Sequence, residues 1–410
     1  MEGWISITIK VVDSIMGSGK STFAIEKMNN DTERKYIYIT PFLDEITRVK
    51  HSCPNKRFVD PKNYDNEGHF QKKQDSLHNL LAAGHNIATT HSLFKQSNEE
   101  TKELIQAGNY VLILDEVMDV VDHLTIKNSD RDLLFENNFL NVDDEGYITW
   151  NNNDEKTRNY DGKFNDIKHM ANNRNLLFYK GSILIWTFPI SIFEAFKEVY
   201  ILTYLFDGQI QKYYYDLNKV DYEYYHIENS NGNYNLQKGK NKSPKIKAQY
   251  SDLIEIYDGI LNDIGNDKYS LSMSWYENRN QAVTKLKNNV SNYFKHKMKA
   301  KSKDIIWTTY KDFQPKVSGK GFQRSYIAVN LRATNDHRQT KYLAYTVNRF
   351  MNPIIEGFFI ERGVKLNHEL WSTSELIQWI WRSSIRDNKK VYIYLPSKRM
   401  RNLLKEWLET

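Results

Sequence analysis

The sequence predicts an α/β protein with parallel sheets flanked by helices. Three observations carry this. Apolar, β-branched runs alternate with helix-like stretches in both halves of the chain, a glycine-rich turn joins the first strand to the first helix, and a later apolar run ends in two carboxylates. The 410 residues suffice for two domains of ordinary size.

The glycine-rich turn is Asp13-Ser14-Ile15-Met16-Gly17-Ser18-Gly19-Lys20-Ser21-Thr22. It follows the alternating run Ile5–Val12, which reads as a strand, and leads into Phe23–Met28, which reads as a helix. Gly17 and Gly19 let backbone N–H groups converge on phosphate oxygens without a Cβ clash, and the positive end of the helix points at them. Gly17, Ser18, Gly19, Lys20, Ser21 and Thr22 are therefore the expected contacts of a nucleoside triphosphate. The Lys20 ammonium reaches the β- and γ-phosphates and the Ser21 hydroxyl ligates Mg²⁺. Ser14 stands where the strict pattern has its first glycine.

Tyr110-Val111-Leu112-Ile113-Leu114-Asp115-Glu116-Val117-Met118 is the second motif. Its apolar run suggests a strand buried on both faces. At the carboxyl end of that strand Asp115 is placed to associate with Mg²⁺, and Glu116 to polarise an attacking water. A small-molecule kinase has no need of the second carboxylate.

Further elements follow in order. Tyr36–Thr40 is a short strand closed by Pro41. A helix around Leu77–Ala83, stopped by Gly84, precedes the strand Asn86–His91. Ser182–Trp186 and Val199–Thr203 follow the acidic strand. Between about 124 and 180 the pattern gives way to Asn/Asp-rich sequence, expected to be an insertion with one hairpin and one helix. Residues 207–250 read as a linker or irregular hairpin, which makes 1–206 a first domain and 251–410 a second. In the second, helices are expected over Ser251–Ile264, Arg279–Phe294 and Thr373–Arg386. Strands are expected at Tyr269–Trp275, Ile305–Thr309, Tyr326–Asn330 and Val391–Leu395. Trp307, on a strand, is expected in the core rather than stacked on a base.

A single cysteine, Cys53, excludes an internal disulfide framework and a cysteine-based zinc site and fits a reducing cytoplasm. No apolar run approaches the ~18 residues that span a bilayer, and the chain enters the strand before the turn without a signal peptide, so no membrane association is expected. The formal charge of +6 is a mild pointer to a polyanion. Lys285, Lys287, Lys295, Lys297, Lys299, Lys301 and Lys303 either extend a phosphate-binding track or form a solvated face.

Gln378, Arg382 and Arg386 are spaced i, i+4, i+8 on the expected last helix and would share one face. Such a face offers planar guanidinium donors to a transferring phosphoryl group.

Together these motifs resemble the superfamily 2 helicases, in particular the helicase-like proteins of bacteriophages, over nearly the whole chain. Ser14–Ser21 resemble motif I, and Asp115-Glu116-Val117-Met118 the DExH/DExD motif II with Met118 in place of His or Asp. Tyr38–Pro41 resemble motif Ia. Thr89-Thr90-His91 resemble the next strand-end motif, Leu202-Thr203-Tyr204 fall at motif III, Asn330–Asn335 resemble motif V and Gln378–Arg386 motif VI. The two arginines of the last are four apart instead of the usual three; Arg382, nearer the usual motif position, is the expected finger and Arg386 its partner, with the assignment between them open.

The resemblance implies two RecA-like domains of the P-loop NTPase type, with ATP and Mg²⁺ in the cleft between them. It implies nucleic acid gripped without sequence preference by Thr40, Pro41, Thr89, Thr90 and His91 of the first domain and Thr308, Arg332 and Thr334 of the second. Lys20, Asp115, Glu116, Gln378, Arg382 and Arg386 would be catalytic, with Ser21 and Asp115 at the metal. The expected substrate is single-stranded or forked DNA, or RNA, in phage replication or recombination in the host cytoplasm, with replication proteins as partners. Two alternatives share the ATP site: a nucleotide-gated replication loader that does not unwind, and a DNA-packaging motor.

Overall fold

The computed structural model describes residues 8–65, 67–241, 249–330 and 337–409. The chain separates into two compact units. One comprises the described residues within Met1–Asp13, Gly19–Gly239 and Asn352–Leu366, the other those within Ser14–Ser18, Lys240–Met351 and Asn367–Thr410.

In the first unit the strands β1 (Thr8–Asp13), β2 (Tyr36–Thr40), β3 (Ile87–Thr90) and β4 (Val111–Asp115) come first. Then come β5 (Val121–Leu124), β6 (Leu140–Val142), β7 (Ile148–Trp150), β8 (Leu176–Tyr179) and β9 (Ile183–Thr187). The set closes with β10 (Glu198–Thr203), β11 (Tyr222–Ser230) and β12 (Asn233–Lys238). The main sheet runs β12-β11-β1-β10-β4-β2-β3 and is parallel except for the β11–β12 hairpin. All of β2 and Val111–Leu114 of β4 are buried, without alternation, because helices cover both faces of a parallel sheet. Helix α1 (Lys20–Asn30) places Ala24, Ile25 and Met28 against Val12, Tyr36, Tyr38, Val111 and Ile113. Full burial of each large apolar side chain there stabilises the fold by roughly 1.5–3 kcal/mol. Register pairs Asp13 with Thr203, Leu202 with Asp115 and Thr40 with Thr90, so the polar ends of five strands finish along one edge.

Three expectations in this unit need correction. The insertion is more ordered than one hairpin and one helix: β5, β9 and β8 form an antiparallel sheet, β6 and β7 a hairpin, and helices span Asn128–Glu136 and Asn165–Asn172. Its Asn and Asp residues make turns; the Asp143 carboxylate accepts the N–H groups of Glu145 and Tyr147 at 3.0 and 2.8 Å. Ser182–Trp186 therefore belongs to this small sheet and not to the parallel one; Lys180 and Gly181, both at positive φ, turn the chain from β8 into β9. The stretch 207–250, read as linker or irregular hairpin, contains the helix Ile210–Leu217, whose Tyr213, Tyr214 and Tyr215 are core residues, and the regular hairpin that extends the main sheet.

In the second unit, β13 (Ile254–Ile256), β14 (Ile305–Thr308), β15 (Tyr342–Tyr345) and β16 (Val391–Tyr394) form a parallel sheet in the order β13-β16-β15-β14. The expected helix at 251–264 is instead β13 followed by a 3₁₀ stretch, Ile260–Gly265. Tyr269–Trp275 is not a strand. Leu271 sits at φ 65° and Ser272 caps the helix Met273–Asn278 by accepting the Trp275 N–H. Tyr326–Asn330 makes only an isolated bridge, Trp307 to Tyr326. Trp307 is in the core as expected, its Nε1 donating to the Phe322 carbonyl at 2.8 Å. Of the lysine run, all but half-buried Lys287 are exposed.

Candidate nucleotide site

Gly17 and Gly19 take φ values of 85° and 93°, the left-handed region where a side chain is strained, and Gly19 is the N-cap of α1. The Ser18 N–H donates to the Ile15 carbonyl at 3.2 Å, and Phe23 N–H to Gly19 O at 2.8 Å. The turn thus closes on itself and starts the helix without a side-chain cap. The Ser18 hydroxyl is buried with no hydrogen-bond partner among the described residues. Lys20, the first residue of α1, is only 7% exposed.

From the second residue of α1, the Ser21 hydroxyl lies 3.4 Å from Asp115 Oδ1, at the end of β4, a weak hydrogen bond across 94 residues of sequence. The Tyr38 hydroxyl donates to Asp115 Oδ2 at 2.8 Å. Burial pushes the Asp115 carboxyl above the usual carboxylate range; the Tyr38 hydrogen bond and the charges of Arg48 and Lys20 pull against that. Glu116 follows at φ 64° with its N–H on the Leu202 carbonyl at 2.9 Å, a conformation that costs a non-glycine residue roughly 1–2 kcal/mol. Strain of this kind concentrates at functional positions. Asp13, closing β1, accepts the N–H groups of Leu205 and Phe206 at 2.9 and 3.1 Å and fixes the loop after β10; burial raises its pKa too.

The donors suit Mg²⁺. A hydroxyl and a carboxylate converge at 3.4 Å, both hard oxygens, and an ion that keeps waters and phosphate oxygens needs few protein ligands. Among the described residues no group of three or more His, Cys, Asp or Glu is arranged to hold a metal alone.

The expected nucleic-acid residues of the first unit lie at the strand ends. Thr40 is fully buried and its hydroxyl has no partner among the described residues. Thr90 caps the short helix His91–Phe94 by accepting the Leu93 N–H at 3.4 Å, and His91 Nε2 lies 3.1 Å from the Asp115 carbonyl. Thr89 is buried within β3 and Pro41 follows β2. In the second unit Thr308 ends β14, its carbonyl accepting the Thr346 hydroxyl at 2.7 Å, while Arg332 and Thr334 lie outside the described residues.

The shared face of Gln378, Arg382 and Arg386 is a correction. The helix runs His368–Ile380 and stops; Arg386 lies in a separate 3₁₀ turn, Ser384–Asp387. The Ser383 hydroxyl bonds the Ile380 carbonyl at 2.7 Å and accepts the Ile385 N–H, an alternative to helical pairing that serine offers readily. Arg382 is 4% exposed with Nη1 on the Ala328 carbonyl at 3.3 Å, whereas Arg386 is half-buried.

Sequence reasoning missed three features. Tyr38 was a motif residue only by its neighbours, and Arg48, far from either motif in sequence, acts on Asp115 through space. Gln211, buried, accepts the Met118 N–H at 3.0 Å and donates to the Tyr215 hydroxyl at 2.8 Å, tying the end of the carboxylate motif to the helix Ile210–Leu217. A glutamine between Ile210 and Lys212, just ahead of three tyrosines, carries no sequence signal for that role.

Comparisons with known proteins bear on both units. The family described as "YonV C-terminal Rossmann-like domain" matches residues 248–408, and "YonV middle domain" matches 121–186, the segment from β5 to β9. Among solved structures, "Structure of S. tokodaii Xpd4" is similar with a TM-score of 0.50 and 11% identity, over 98% of this chain and 94% of that one. "XPD_Helicase" gives a TM-score of 0.47 at 11% identity, over 97% and 94%. At such identity the likeness is one of fold, and the fold is α/β with parallel sheets. The SPbeta prophage-derived protein YonV of Bacillus subtilis (strain 168) is 47% identical over 405 residues, 98% of each chain. The chain belongs to the YonV family.

Proposed function

We propose that this chain is an ATP-driven translocase or helicase of the superfamily 2 type, acting on single-stranded or forked DNA. The observation that carries the reading is the convergence of Ser21 and Asp115 beside a helix whose N-cap is Gly19 and whose first residue is a buried lysine. Gly17, Ser18 and Gly19 would hold phosphate oxygens through backbone N–H groups, with Lys20 neutralising charge and Thr22 a further contact in the first turn of α1. Ser21 and Asp115 would hold Mg²⁺, which when bound neutralises the phosphates and orients them. Glu116, held at the mouth of the strand by its strained backbone, would orient and deprotonate the attacking water. A DNA substrate follows from the resemblance and is consistent with the prophage origin of the relative.

Thr90, half-buried at the end of β3, is the backbone contact of the first unit in this reading; Thr40, paired with it in register, and Thr308 of the second unit are fully buried and are not offered as contacts. Gln378 and the two arginines belong to the second unit's part in turnover. Arg382 and Arg386 both stand as finger candidates in this reading; Arg382 is buried with Nη1 on a backbone carbonyl, and Arg386 is half-buried. The test is strand displacement on a forked DNA duplex with ATP and Mg²⁺. Displacement that needs hydrolysis, together with DNA affinity that falls steeply with salt, supports the motor. DNA binding with no displacement and no stepping along single strands would favour a nucleotide-gated loader.

A further inference from the structure

The hairpin β11–β12 lies where no motif was expected. β11 pairs with β1 only from Ile9–Tyr222 to Val12–Tyr225, so the hairpin from His226 onward runs past the end of β1, on the side of the glycine-rich turn. Tyr234, opposite Asn229, is four residues beyond the last pairing, about 13 Å at the usual rise per residue. Its half-buried ring packs against the core under α1 and lies on Gly19: a Cβ built on that glycine would fall 2.0 Å from a ring carbon. The tip, Asn231-Gly232 at φ 56° and 90°, is a tight two-residue turn that fixes the ring's position.

Sheet order gives the ring a role. β1 lies between β10 and β11, and Asp115 ends β4 on the far side of β10. A triphosphate whose terminal groups lie at Ser21 and Asp115 must carry its nucleoside away from β4, and the opposite flank of β1 is the hairpin. We propose that Tyr234 is the base-stacking residue of this site, its ring meeting the π face of the nucleoside whose phosphates the turn holds. The proposal rests on the nucleotide reading above and adds where the base is bound. A stacked ring accepts any base, so the site would favour nucleotides over inorganic phosphates without strong discrimination among bases.

The test measures binding of Mg²⁺-ATP and of Mg²⁺-tripolyphosphate to the full chain by calorimetry, for the wild type and for Tyr234→Ala, Tyr234→Leu and Tyr234→Phe. Leucine keeps an apolar contact with Gly19 but has no π face, so it decides the matter if the alanine variant does not fold. Expected are ATP affinities about 5- to 150-fold weaker for Tyr234→Leu and Tyr234→Ala, near wild type for Tyr234→Phe, and tripolyphosphate affinity within about twofold throughout. Unchanged ATP affinity in Tyr234→Leu, or an equal loss for tripolyphosphate, overturns the proposal and makes the ring a packing element of the turn. A wild-type chain that binds neither ligand overturns the nucleotide reading itself.

Discussion

Gly19→Ala separates backbone strain from crowding, because the structure supplies a matched control. Both Gly19 and Gly232 sit at positive φ, 93° and 90°. At Gly232 an added methyl meets nothing within 4 Å; at Gly19 it lands 2.0 Å from the Tyr234 ring. Gly232→Ala should therefore cost only the left-handed backbone, about 1–2 kcal/mol. Gly19→Ala carries the same strain plus displacement of a packed ring, about 1–3 kcal/mol more, for a total of about 2–5 kcal/mol. The crowding share should vanish with the ring, so in a double-mutant cycle Gly19→Ala and Tyr234→Ala should couple by about 1–3 kcal/mol. Urea unfolding of the four proteins and the Gly232→Ala control measures it. Equal costs at the two glycines, or no coupling to Tyr234→Ala, would refute the packing of Tyr234 on the turn.

Further outcomes concern the carboxylates and the lysine. Lys20→Ala should abolish ATP turnover and weaken nucleotide binding, as measured by hydrolysis and calorimetry; near-normal turnover would remove the phosphate role. Glu116→Gln should keep ATP binding while hydrolysis falls by about 10²–10⁴, the usual cost of losing a general base; loss of binding would make Glu116 structural. Burial raises the Asp115 pKa in the folded chain, so the stability present when it is protonated is lost as pH rises from the unfolded value, about 3.9, through the folded one. Asp115→Asn should accordingly raise the melting temperature at neutral pH without Mg²⁺ while abolishing Mg²⁺-dependent turnover; a lower melting temperature would contradict that sign. Asp31 has the opposite sign: burial opposes its ionisation, but the Tyr36 hydroxyl, the Arg34 side chain and the N–H groups of Arg34 and Glu33 hold it far below the carboxylate range. Its stabilisation is present above the unfolded pKa and is lost as pH falls toward the folded one, so Asp31→Asn should be less stable than wild type at pH 7. The gap should narrow in melts below about pH 4.

The α/β class and the strands of the first sheet were legible because a doubly covered parallel strand needs an unbroken apolar run, as in Val111–Leu114, and because Gly17 and Gly19 mark backbone that other residues adopt only with strain. The same logic found β14 and β16 and placed Trp307 in the core. It failed where tyrosine does the work of an apolar residue. Tyr213, Tyr214 and Tyr215 read as a polar linker, yet all three are buried, and β11 reads as irregular although it lies beside β1. It also failed where serine interrupts a helix: the spacing of Gln378, Arg382 and Arg386 is helical on paper, but Ser383 ends the ladder between them. In the candidate site, Ser21 and Asp115 were legible by motif and adjoin in the structure. Tyr38, Arg48 and Tyr234 reach the site through pairing register and tertiary packing, which a local pattern does not encode.

The most direct measurement of the central claim is steady-state ATP hydrolysis by the full chain with Mg²⁺, alone and with single-stranded DNA, duplex DNA or RNA, beside Lys20→Ala. A DNA-driven motor predicts turnover that single-stranded DNA raises severalfold or more and that Lys20→Ala abolishes. Hydrolysis indifferent to every nucleic acid, or a nucleic-acid-stimulated rate that survives Lys20→Ala, would contradict it.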